Sequence, residues 1–99
     1  MLIESDIKKS RPSLVLSNNT QNKYDKEIIV APLSTKELEE IQPFEVFIKS
    51  NKSNGLKEDS KILLNRLRAV ERKLRLRNCL GKVDKETMKK VKKALDIVL

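Results

Sequence analysis

Arg11-Pro12-Ser13-Leu14-Val15-Leu16-Ser17-Asn18 and, after a polar gap, Glu27-Ile28-Ile29-Val30-Ala31-Pro32-Leu33-Ser34-Thr35 carry the strongest strand signals in the chain. Each is a short aliphatic, β-branched run bounded by polar or proline positions. Pro12 biases Arg11 towards an extended backbone, and Ser13 to Ser17 reads as a strand. A second strand is expected over Glu27 to Ala31. Its near-continuous apolar centre predicts burial on both faces, with Pro32 at its exposed end. The intervening Asn18-Asn19-Thr20-Gln21-Asn22-Lys23 reads as a polar loop. If the two strands pair, the Arg11 guanidinium and the Ser34–Thr35 hydroxyls converge on one phosphate.

Working outward, residues 1–10 read as an irregular lead-in of mixed charge. Thr35 to Ile41 could form one or two helical turns, with Thr35 as N-cap and early acidic residues suiting the helix dipole, until Pro43 stops it. Phe44 to Ile48 is a third strand, and Asn54-Gly55 signals a turn. Ser60 to Leu64 and Leu67 to Val70 are two further strands. Glu71 to Leu80 could be a short helix or a turn, broken by Gly81. Asp84 is an N-cap for a final helix from Lys85 to about Ile97, whose Met88, Val91, Leu95 and Val98 share one face. Five short strands and a terminal helix predict a compact, strongly bent sheet or small barrel. The 99 residues form one domain, without repeat or linker.

The net charge is +8, and it is unevenly spread. Residues 1–50 carry seven Lys/Arg against eight Asp/Glu, whereas residues 51–99 carry fifteen against six. The C-terminal half is therefore the one that attracts anions, nucleic acid among them. There is no histidine, which removes the commonest general base and zinc ligand. The single Cys79 allows no internal disulfide or thiolate cluster and reads as a small, partly buried apolar residue. This cysteine usage is compatible with a reducing cytoplasm. No run is long and apolar enough for a membrane span, and the first residues lack a signal-peptide core. Of the three aromatics, Tyr24 lies in a loop-like setting, whereas Phe44 and Phe47 read as core or interface residues. A guanidinium and a hydroxyl on one phosphate, without metal ligands, suggest RNA chemistry.

The strings RPSLVLSNN, IIVAPLS, PFEVFI, GLKEDSKILLNRLRAV and LGKVDKETMKKV, in that order, resemble the MazF/PemK family of toxin endoribonucleases. The resemblance runs from about Ile7 to the end. It implies a mainly β (α+β) fold, an SH3-like small barrel with a C-terminal helix. It also implies a homodimer that cleaves single-stranded mRNA through a 2′,3′-cyclic phosphate, without metal or cofactor. The dimer would act in the cytoplasm, away from membranes, restrained by a cognate acidic antitoxin.

Two departures accompany the resemblance. Family members usually begin further upstream, with a strand that this chain lacks; its removal should expose a sheet edge and core surface. The family also usually has Thr after Ala-Pro-Leu, where this chain has Ser34 followed by Thr35. By resemblance Arg11 is the catalytic arginine and Ser34 the catalytic hydroxyl, although an Arg before Pro can simply end a strand and a Ser can simply cap a helix. Arg66 and Arg68 are phosphate contacts or surface charge. Asn18 and Asn19 read bases or form turns, and Tyr24 and Thr35 complete the candidate RNA contacts. Asn65 stands where some relatives carry an acidic residue and cannot act as a base. An alternative reading is a shortened, inactive relative that binds RNA or antitoxin.

Overall fold

The structure is a computed structural model that describes residues 2–4, 11–17, 26–71 and 79–99. Among the described residues, seven strands and one helix follow in chain order: β1 (Leu2–Glu4), β2 (Pro12–Val15), β3 (Glu27–Ser34), β4 (Glu45–Ile48), β5 (Ser60–Leu63), β6 (Arg68–Glu71), β7 (Cys79–Gly81) and α1 (Lys85–Val98). The strands run β4-β5-β3-β2-β1-β7, with β6 also paired to β3, and all pairs are antiparallel. Among the described residues this path stays open between β4 and β7, so the barrel expected by resemblance is a bent, unclosed sheet.

The bend is built on β3. Its first half, Glu27 to Val30, pairs with β6, and its last residues, Leu33 and Ser34, pair with β5. Its other edge takes β2 in the middle of the strand, with Ser13 opposite Pro32 and Val15 opposite Val30. Pro32 therefore lies inside the strand, not at its end as the sequence suggested. The Leu16 amide donates to the Ile29 carbonyl, so odd residues of β3 turn their backbone groups to β2 and even ones to the opposite edge. On that edge position 32 falls where β6 has ended and β5 has just begun. The missing proline N–H costs no ladder bond there.

The predicted burial on both faces of β3 is what the structure has. Ala31 and Leu33 join Leu2, Leu14, Val46, Ile48, Ile62 and Leu64 in a core closed by Val91 and Ala94 of α1. Ile28 and Val30 face the other way, into a smaller cluster with Ile3 and Val15. Asp84 caps α1 as expected, its carboxylate accepting from the Thr87 amide at 2.8 Å. Met88 and Leu95 are partly buried, but Val98 and Ile97 are exposed, because the last turn runs past the sheet.

Several expectations are corrected. The lead-in contains a strand: β1 sits between β2 and β7, and Leu2 and Ile3 are fully buried. The exposed core surface expected beside it is thus covered. With β7, which takes up the end of the ambiguous stretch, the described residues form seven strands instead of five, and Gly81 ends a strand where it was expected to break a short helix or turn. Thr35 to Ile41 form no helix, so Thr35 caps none. So short a segment nucleates poorly on its own, and Glu37 adopts a left-handed φ of 55°. Cys79 is exposed on β7 at the end of the strand path, not partly buried, and Phe47, read as a core or interface residue, is exposed on the edge strand β4 and so not in the core. The Asn18–Lys23 loop, Tyr24 and residues 72–78 lie outside the described residues.

Candidate active site

The β2–β3 register places the two principal candidates together. Arg11 lies two residues before Ser13, and Ser34 lies two after its partner Pro32. Continued by two steps, that register would set Arg11 opposite Ser34 on one face. Ser34 is paired in turn with Lys61 of β5, and Lys61 with Phe47 of β4. Alternation along each strand puts Arg11, Ser34 and Lys61 on the face away from α1, since Leu14, Leu33 and Ile62 point to the helix side.

A cleft of about 660 Å3 opens on this face. It is lined by Arg11, Pro32, Leu33, Ser34, Lys36, Glu37, Phe44, Glu45, Lys61, Leu63, Asn65, Arg66 and Arg68. Arg11, Arg66 and Arg68 are exposed in it, and Ser34 is half-buried. Thus four of the sequence-predicted residues meet here. Thr35 is exposed but does not line the cleft, and Asn18, Asn19 and Tyr24 lie outside the described residues.

Ser34 caps no helix. Its Oγ accepts the Lys36 amide at 3.1 Å, a local turn that anchors the hydroxyl while leaving its hydrogen to donate. Lys61 is 5% exposed and forms an ion pair with Glu45 at 3.0 Å. Burial pushes the Glu45 carboxyl up, but the Gln42 amide, Lys61 and nearby Arg66 outweigh it and hold the group below its ordinary value. With that pair internally compensated, Arg11, Lys36, Arg66 and Arg68 face Glu37, and the cleft is basic. Among the described residues no group of three or more His, Cys, Asp or Glu is placed to hold a metal.

Lys36, Glu37, Phe44, Glu45 and Lys61 were not among the sequence candidates. Lys61 alone had a sequence signal: a cation in the middle of the Ser60–Leu63 strand, at a position whose face is set only by pairing.

The family described as PemK-like, MazF-like toxin of type II toxin-antitoxin system matches residues 2–99. Endoribonuclease MazF of Staphylococcus saprophyticus is 36% identical over 89 residues, covering 90% of this chain and 72% of that protein. Among solved structures, the Mycobacterium tuberculosis toxin MazF-mt6 matches with a TM-score of 0.80 at 17% identity, covering 98% of this chain and 93% of that one. A chain of the MazE-MazF (Form-I) structure from Deinococcus radiodurans matches with a TM-score of 0.77 at 20% identity, covering 98% and 89%. The chain belongs to the PemK-like, MazF-like toxins of type II toxin–antitoxin systems. Its activity is that of a MazF-like endoribonuclease.

Proposed function

We propose that this toxin cleaves single-stranded mRNA in the cytoplasm without a metal, using Arg11 and Ser34 on one scissile phosphate. The reading is supported by the basic cleft that both residues line, each two residues beyond the Ser13–Pro32 pair. RNA supplies its own nucleophile. The ribose 2′-oxygen bonds to the adjacent phosphorus and loses its proton, while the bond to the 5′-oxygen breaks and that oxygen gains a proton. The products are a 2′,3′-cyclic phosphate and a 5′-hydroxyl.

The Arg11 guanidinium grips two phosphoryl oxygens and offsets the charge that builds on them. Arginine keeps its proton at neutral pH, so a charge clamp suits it better than an acid's role. The Ser34 hydroxyl donates to an oxygen that gains charge in the transition state, a contribution of about 3–4 kcal/mol for one preorganised donor. Arg66 and Arg68 hold flanking phosphates, with Thr35 at the margin; Asn18, Asn19 and Tyr24 remain candidate base contacts.

The same basic cleft suits a flexible acidic antitoxin segment, which would compete with RNA for it. The protein is proposed to act as a homodimer, tested by sedimentation of the purified chain. β1, paired on both edges and buried, supports an intact catalytic domain over the shortened-binder reading. The deciding assay incubates purified protein with single-stranded RNA and a chelator. Fragments ending in a cyclic phosphate and a 5′-hydroxyl are expected. Binding without cleavage would replace this reading with the binder.

A further inference from the structure

Lys61 sits beside Ser34 in the β3–β5 ladder, yet its ammonium points at the connection that leaves Ser34. It donates to the Glu37 carbonyl at 3.2 Å, to the Glu40 carbonyl at 3.4 Å and to the Glu45 carboxylate at 3.0 Å. These three acceptors use all three N–H bonds of the ammonium, so none remains for a phosphate. Both side chains of the ion pair are nearly dry, at 6% and 9% exposure. Glu45 in turn accepts the Gln42 amide at 3.0 Å. Three backbone groups of the 35–42 connection are thus tied to one buried ion pair, and the connection starts at the candidate hydroxyl.

That connection needs such a tie. It has no helix or strand of its own, it carries Glu37 at a φ of 55°, and its carbonyls turn inward to a cation. A non-glycine residue in the left-handed region is held there by its surroundings. The turn that anchors the Ser34 Oγ is made by the Lys36 amide, one residue before Glu37. We infer that Lys61 is a positioning residue for the cleavage reaction: it pins the 35–42 connection and thereby fixes the Ser34 hydroxyl in its cleft. This rests on the reading of Ser34 given above.

The test separates positioning from mere stability. Lys61→Met alone leaves a buried carboxylate and two carbonyls without their cation, and destabilises the fold whatever its role. In the double variant Glu45→Leu/Lys61→Met the buried charges leave together, an exchange that proteins often tolerate. The double variant is expected to recover most of the stability lost by the single one, yet to cleave RNA with kcat lower by about 10- to 100-fold and KM little changed. Amides of residues 36–42 should exchange with solvent faster in it. Lys61→Arg, which keeps charge and donors, should restore part of kcat.

Wild-type kcat in a folded double variant would overturn the inference, as would unchanged amide exchange. Ser34→Ala assayed alongside separates the two claims. If Ser34→Ala cleaves normally, the role of Ser34 fails and the positioning of it falls too, even where faster exchange shows that Lys61 holds the connection. If Ser34→Ala is inactive and the double variant is not impaired, only the positioning role fails.

Discussion

Arg11 and Ser34 each lie two residues beyond the Ser13–Pro32 pair of the β2–β3 ladder, Arg11 before Ser13 and Ser34 after Pro32. Both line the same cleft. Ala at Ser34 should lower kcat by about a hundred- to a thousandfold, as for loss of one preorganised donor. Ala at Arg11 should abolish detectable cleavage of a single-stranded RNA. Neither change should move the melting temperature by more than a degree or two, because neither side chain fills the core. Normal fragment yield from Arg11→Ala would remove the mechanism.

Gly81 and Gly55 mark where the 51–56 turn seats on β7. A Cβ on Gly81 would stand 2.2 Å from the Ser53 carbonyl oxygen, and one on Gly55 at the same distance from that of Leu80. Both obstacles are backbone, which cannot rotate away. Gly81→Ala should cost about 2 kcal/mol or more in denaturant titration. Gly55, with its φ of 71°, adds a backbone penalty to the same clash.

Asn54 is the internal brace of that turn. Its carbonyl oxygen accepts the Asn51 and Leu56 amides at 3.1 and 3.0 Å, and its amide donates to the Lys49 carbonyl at 2.8 Å. The residue is 1% exposed. Asn54→Ala should lose about 2–4 kcal/mol, read from the urea midpoint at constant slope.

Acid should weaken the fold through specific carboxylates. Asp59 is held below its ordinary 3.8 by the Ser50 amide and hydroxyl, and Asp84 by Thr87. Glu45 lies below its ordinary 4.5 despite burial, through the Gln42 amide and Lys61. A carboxyl whose folded pKa is lowered stabilises fully above its unfolded value, and that contribution disappears as pH falls through the folded one. Stability should therefore hold down to about pH 5 and decline below it. Asp59→Asn and Asp84→Asn should flatten that decline when melting temperature is plotted against pH.

RNA affinity should fall linearly on a log–log plot against salt. Replacing Arg66 or Arg68 by Ala should each reduce the slope by about 0.7 if it holds a phosphate on a single strand. A slope unchanged by both would reassign them to surface charge.

The strands that build the site were legible because β-branched runs between proline and polar punctuation have few alternative readings. So was α1, where Asp84 and the spacing of Met88, Val91 and Leu95 agree. β1 and β7 were not legible: each is three residues long, too short for a period to show, and each is stabilised by pairing with the other. The acidic, helix-like composition of Thr35 to Ile41 misled because composition cannot register a buried cation elsewhere in the chain. Lys61 claims the carbonyls that a helix would have used. For the same reason the site's two main residues were visible in local motifs, while Lys61 and Glu45 emerged only from the β4–β5 register.

β3 buries side chains on both of its faces, pairs with β2, β5 and β6, and ends in the candidate hydroxyl. Loss of β3 would take three paired strands and the proposed hydroxyl with it. In rising denaturant, cleavage and the circular-dichroism signal of the sheet should vanish over one shared transition, so a partially damaged toxin is a dead one.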